Sequence, residues 1–226
     1  MCGRYTLTAT PEELQALFGY LDSEPQPPRY NIAPTQPIAI VREAEGACRL
    51  ALVRWGLVPW WVEDPAKFKL LINARGETAQ RTPAFRDAMR ARRCLVPASG
   101  FYEWQRIQGK SKQPYWLRPR AGGLIAFAGL WERWTDRAGQ AIESGCILTT
   151  TANATVAPIH DRMPVVIGPR DFDRWLSGGE RAAGGELLGP PPADLLEAVP
   201  VGTRVNKVDN DDPGLIEPVP AAATGG

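Results

Sequence analysis

The sequence predicts an α+β fold: a β-rich single domain with a curved or barrel-like, mostly antiparallel sheet and a few short helices. Three observations carry that prediction. Apolar runs of strand length recur along the chain. Glycine and proline punctuate them, with 22 of each among 226 residues. Few segments show the apolar spacing of an amphipathic helix. No internal repeat is visible, and residues 1–226 read as one domain whose last residues, about 218–226, form a mobile tail.

The first helix is the clearest element. Thr10 suits the cap, Pro11 the first helical position and Glu13 the far side of a capping box. Leu14, Leu17 and Phe18 supply the apolar stripe, and Gly19 ends it. A Pro-rich loop over 24–28 follows. Strands are then expected over 38–42 and 49–53, joined through Glu45-Gly46. The segment 54–61 is too aromatic and Pro-interrupted to be regular. Thr82-Pro83 should open a second helix with Phe85 and Met89 on one face. Further strands are expected over 94–97, 101–105, 115–118, 124–130 and 146–151. Short helices are expected near 156–160 and over 171–176. The Gly/Pro-rich stretch 178–192 reads as a surface loop, because strand-like residues resume at Arg204-Val205.

Composition narrows the function. Lys and Arg total 26 against 25 Asp and Glu, so any nucleic-acid site must be a local basic groove. A stretch rich in arginine (Arg75, Arg81, Arg86, Arg90, Arg92, Arg93) is the candidate, although taken alone a solvated helix face is the favoured reading of it. No apolar run approaches the roughly 20 residues needed to cross a bilayer. Nor does the start carry a signal-peptide pattern, so a cytoplasmic protein is expected. The four cysteines (Cys2, Cys48, Cys94, Cys146) are scattered and there is a single histidine. That pattern argues against zinc and a disulfide framework, and no metal or cofactor is expected.

Four segments place reactive groups in apolar surroundings. At the N-terminus, Met1 is normally removed when the second residue is small, which would leave Cys2 with an α-amine and a thiol on adjacent carbons. Such a 1,2-aminothiol condenses with an aldehyde to an imine and then closes a thiazolidine. With ordinary pKa values near ~8 and ~8.5, both groups would have reactive fractions near neutral pH. A frayed terminus with an inconsequential cysteine is the rival reading. Asn73 could hydrogen-bond a thiol or hold a carbonyl, and Arg75 could fork onto a phosphate. Alternation along 101–104 puts Phe101 and Glu103 on one strand face, with Tyr102 and Trp104 on the other. Glu103 is therefore a candidate for desolvation and acid/base work, or for a buried salt bridge. His160 is the only imidazole available for proton transfer. Trp60, Trp61 and Trp104 could offer stacking faces to unpaired bases, or simply belong to the core.

Taken together these segments resemble the SRAP (SOS-response-associated peptidase) family. The motifs are Met1-Cys2-Gly3-Arg4-Tyr5, Tyr30-Asn31-Ile32-Ala33-Pro34-Thr35, Arg54-Trp55-Gly56-Leu57-Val58-Pro59, Asn73-Ala74-Arg75-Gly76-Glu77-Thr78, Gly100-Phe101-Tyr102-Glu103-Trp104 and His160-Asp161-Arg162-Met163-Pro164. Val205-Asn206 and Asn210-Asp211-Asp212-Pro213 are similar to its closing motif. The resemblance implies covalent capture of abasic sites in single-stranded DNA through a Cys2 thiazolidine. It implies that Glu103 promotes sugar-ring opening and proton transfers, that His160 assists imine formation and strand cleavage, and that Asn73 lies near the thiol. It further implies that Arg4, Arg75 and Arg162 grip phosphates beside the lesion, and that a peptidase activity accompanies the crosslink. The expected partner is single-stranded DNA containing abasic sites, met by a monomer. Two rivals remain: a glutamine amidotransferase with an N-terminal cysteine nucleophile, and a non-catalytic single-strand binder.

Overall fold

The computed structural model describes residues 2–20, 27–107, 111–177 and 185–221. Its strands are β1 Tyr5–Leu7, β2 Arg29–Ile32, β3 Pro37–Ala44, β4 Ala47–Trp55, β5 Asn73–Arg75, β6 Arg93–Ala98 and β7 Gly100–Arg106. They continue with β8 Lys112–Pro119, β9 Ile125–Thr135, β10 Ala141–Thr151, β11 Arg162–Pro164, β12 Val166–Ile167 and β13 Leu196–Pro200. The α-helices are α1 Pro11–Phe18, α2 Gly76–Ala79, α3 Arg86–Ala91 and α4 Phe172–Ser177.

The expected barrel is present. β10 pairs with β9 in antiparallel fashion and with β4 in parallel, and β4 continues through β3 and β6 back to β9. This closes a ring of strands and removes its exposed edges. A second, wholly antiparallel sheet runs β13-β8-β7-β1-β2. One face of that sheet packs on the barrel, where Tyr5 meets Trp55 edge-on at 5.4 Å and Phe101 meets Phe127 at 5.9 Å. Its other face holds a smaller cluster of Tyr102, Trp116, Val201, Val205 and Leu215. The alternation read from the sequence is therefore real: Phe101 joins the main core and Tyr102 the smaller one.

Local chemistry explains the elements that were legible. Thr10 Oγ1 accepts the Glu13 N–H at 3.2 Å, and Glu13 Oε2 accepts the Thr10 N–H at 2.8 Å, completing the capping box of α1. β3 and β4 pair down to Ala44↔Ala47. The two residues between, Glu45 and Gly46, both have positive φ (54° and 76°), the signature of a type I′ hairpin.

Three expectations fail. The second helix begins at Arg86, not Thr82, because Thr82 Oγ1 donates to the Thr78 carbonyl at 2.9 Å and closes α2 instead of capping α3. Residues 156–159 form turns and His160 follows them, so no helix spans 156–160. Asn153 Oδ1 takes the N–H groups of Thr155 and Val156, and Pro158 has no donor with which to propagate a helix. Arg204-Val205 belong to a 3-10 turn, Thr203–Asn206, and the strand on that side is β13.

The first residues of the expected tail are tied down, since Val201 bridges Pro218 and the Val219 N–H donates to the Pro200 carbonyl. The remainder of that tail from 222, the loop portion 178–184 and residues 24–26 of the Pro-rich loop lie outside the described residues. Among the described residues no helix is long and apolar enough to cross a membrane.

Candidate functional site

Cys2 precedes β1 and is completely buried in the main core. Its carbonyl accepts the Asn73 Nδ2–H at 2.7 Å. Asn73 can reach it because β5 lies parallel to β10, with Asn73 opposite Ile147. Asn73 Oδ1 is buried and finds no hydrogen-bond partner among the described residues. The expectation that the thiol has a reactive fraction near neutral pH is corrected here. Burial pushes the Cys2 thiol far above its ordinary pKa, and the nearby Glu103 carboxylate pushes the same way. A proton acceptor must act before this sulfur becomes a nucleophile.

Glu103, on β7, is 3% exposed. Loss of solvation raises its pKa above the ordinary carboxylate value, and His160, when protonated, offsets part of that rise. Gln105, two residues along the same strand face, donates to the Pro158 carbonyl at 3.0 Å. That bond draws the turn carrying His160 over the Glu103 face. The Arg162 N–H donates to His160 Nδ1 at 2.9 Å, which assigns the neutral ring proton to Nε2. Asp161 Oδ1 also lies 2.9 Å from Nδ1, a contact that needs a proton on Nδ1. The backbone bond governs the neutral ring, because the Asp161 side chain is 87% exposed and well screened by water.

The arginines singled out by the sequence differ in their surroundings. Arg75 is exposed at the end of β5. Arg162 forks onto Glu77 at 2.5 and 2.9 Å and reaches the Thr149 carbonyl at 2.7 Å. Arg4 donates to Asn31, Val205 and Asn206. From the arginine-rich stretch, Arg92 pairs with Glu132 at 2.6 Å, while Arg93 is buried with its Nε on the Trp175 carbonyl. Those two guanidiniums therefore serve the fold.

Trp104 packs beside the smaller core and donates to Asn206 Oδ1 at 2.8 Å. Trp60 and Trp61 are 57% and 44% exposed, with contacts to Asp87 and Phe68 respectively. Neither contact reaches Cys2, Asn73, Glu103 or His160. Two side chains escaped the sequence reading: Asn31, fully buried beside Arg4, and Glu77, the partner of Arg162. Their only signal was membership of motifs already quoted, since neither residue breaks a hydrophobic pattern.

The family model for SOS response associated peptidase (SRAP) matches residues 1–208. The chain belongs to the SRAP family. It is 37% identical over 222 residues to abasic site processing protein YoqW of Bacillus subtilis, covering 96% of this chain and 99% of that protein. Abasic site processing protein YedK of Escherichia coli is 32% identical over 228 residues, covering 97% and 100%. The mouse protein HMCES, also named an abasic site processing protein, is 30% identical over 268 residues, covering 96% and 76%. A solved structure from Bordetella bronchiseptica superposes with a TM-score of 0.77 at 28% identity, covering 89% of this chain and all of that one. Another, from Bacteroides thetaiotaomicron, gives 0.85 at 24% identity, covering 96% and 100%. In this SRAP domain, Cys2, Asn73, Glu103 and His160 occupy one neighbourhood, although the sequence spreads them over most of the chain.

Proposed function

We propose that the protein processes abasic sites by trapping them covalently in single-stranded DNA through Cys2. The observation that carries this reading is the setting of Cys2: its carbonyl is clamped by Asn73, the Glu103 carboxyl lies close enough to act on its thiol, and His160 lies close enough to act on Glu103. Removal of Met1 frees the Cys2 amine. The open-chain aldehyde of the abasic sugar accepts that amine, and loss of one water gives an imine. The S–H then adds across the C=N bond, with sulfur bonding to carbon and the proton passing to nitrogen, and the ring closes as a thiazolidine.

Each proton movement has a candidate carrier. A buried thiol that resists ionisation needs a base only while it attacks, and a desolvated carboxyl such as Glu103 is suited to taking and returning that proton near neutral pH. His160, with its proton assigned to Nε2, offers a second relay for carbinolamine dehydration. If His160 instead removes the proton on the carbon next to the imine, the 3′ phosphate leaves by elimination, which is the lyase branch. Peptidase chemistry enters this reading as release of Met1, the bond whose hydrolysis frees the amine. Arg75 supplies an exposed cation for the backbone, and Arg4 and Arg162 bring further guanidiniums.

The test mixes purified protein with single-stranded DNA carrying one abasic site and resolves products under denaturing conditions. A stable adduct is expected without added reductant, and none from Cys2→Ala or from protein that retains Met1. Equal crosslinking by Cys2→Ala would sink the thiazolidine mechanism, and ammonia release from glutamine would favour an amidotransferase instead.

A further inference from the structure

Arg4 sits two residues from Cys2, yet distant parts of the chain hold its guanidinium. Nη1 donates to Asn31 Oδ1 at 2.8 Å and to the Val205 carbonyl at 2.7 Å, and Nη2 reaches the Asn206 carbonyl at 3.3 Å. Asn31 is the hub of this arrangement. Its Nδ2 donates to the carbonyls of Val205, Lys207 and Asn210 at 3.3, 2.9 and 2.7 Å, while its Oδ1 accepts from Arg4. Asp211 completes the fastening by accepting the N–H groups of Tyr30 and Asn31 and pairing with Arg29. One buried amide thus straps the segment 203–212 to β2 and orients the guanidinium of a residue two positions along the chain from the proposed nucleophile.

A guanidinium carries five N–H donors in a rigid plane. Three are committed here: both on Nη1 and one on Nη2. The Nε–H and the second Nη2–H have no acceptor among the described residues, and Arg4 is only partly buried. These two donors lie parallel along one edge, the geometry that grips two oxygens of a phosphate.

We infer that Asn31 is a positioning residue: together with the closing segment it locks Arg4 by its Nη1 end, so that the opposite edge meets a DNA phosphate already oriented. The inference rests on single-stranded DNA being the ligand, as proposed above. An unanchored arginine would have to order its long side chain during binding, and that entropy is what Asn31 removes beforehand.

The experiment measures equilibrium binding of the full chain to an undamaged single-stranded oligonucleotide across a salt series. Such DNA has no aldehyde, so Cys2 chemistry does not enter. Wild type, Asn31→Ala, Arg4→Ala and the double variant form a cycle. Arg4→Ala is expected to weaken binding and flatten the log–log salt slope by about 0.7, one phosphate contact. Asn31→Ala is expected to weaken binding roughly tenfold, which corresponds to 1.4 kcal/mol. The double variant should bind no more weakly than Arg4→Ala alone.

A purely structural loss at Asn31 would weaken both backgrounds equally, so an additive cycle overturns the inference. Should Asn31→Ala not fold, Arg4→Lys interrogates the same edge, because an ammonium cannot hold the anchor and the fork together. Arg4→Lys should bind about as weakly as Arg4→Ala, and wild-type affinity would overturn the inference. Wild type that binds no oligonucleotide refutes the DNA ligand itself and takes the inference with it. Wild type that binds and crosslinks, alongside an additive cycle, refutes the inference alone.

Discussion

Glu103→Gln should move stability and chemistry in opposite directions. The carboxyl is 3% exposed, and desolvation is the largest cause of its raised pKa. The native state therefore holds this proton more tightly than the unfolded chain, whose glutamate titrates near ~4.3. Below that pH both states are protonated and the carboxyl carries no penalty. As pH rises through the native pKa, the unfolded chain is already ionised while the native state must keep the proton or bury a charge. Burial of the carboxyl therefore lowers stability at neutral pH.

Glutamine keeps the shape and never ionises. Each kcal/mol of that penalty corresponds to roughly 2–4 °C in the melting midpoint of a chain of this size. Thermal unfolding at pH 7 is expected to show Glu103→Gln melting above wild type, and at pH 4 the two should coincide. Adduct formation at pH 7 should meanwhile slow by about 10²–10⁴-fold, the usual contribution of a general acid or base. Equal midpoints at pH 7 would show that the carboxyl is not penalised by burial. A glutamine variant that crosslinks at the wild-type rate would show that Glu103 moves no proton.

Two further substitutions probe the proposed DNA contact and the scaffold. Arg75→Ala removes an exposed cation at the end of β5 and should reduce the salt slope of single-strand binding by about 0.7; an unchanged slope would remove Arg75 from the phosphate contacts. Gly129→Ala places a Cβ 2.8 Å from Cys94 Sγ and 2.9 Å from Val96 Cγ2 inside the barrel. That overpacking should cost about 1–3 kcal/mol and lower the melting midpoint, whereas an unchanged midpoint would mean that β6 and β9 can spread to admit a methyl group.

How far the sequence could be read depended on the range of the interactions involved. The capping box of α1 and the Glu45-Gly46 hairpin are short-range chemistry between near neighbours, and both were readable. The same holds for Glu103, whose place on an apolar strand face follows from period-two alternation. Residues 156–160 and 203–206 misled because their conformations are set by hydrogen bonds from Asn153 and Asn31, donors and acceptors that leave no periodic trace. The buried Arg93 was unreadable for a similar reason: a lone arginine in the sequence does not announce the Trp175 carbonyl that waits for it.

By itself the sequence determined a β-rich domain, a 1,2-aminothiol conditional on losing Met1, and motifs that assign the family. Only the tertiary structure decided the state of that aminothiol. It buried the Cys2 sulfur, raised its pKa and set Asn73 on its carbonyl. It also showed that Arg4 is oriented by residues up to 202 positions away. The physical reason is that pKa values and guanidinium orientation depend on solvent exclusion and through-space partners, and both exist only after the strands have closed around the site.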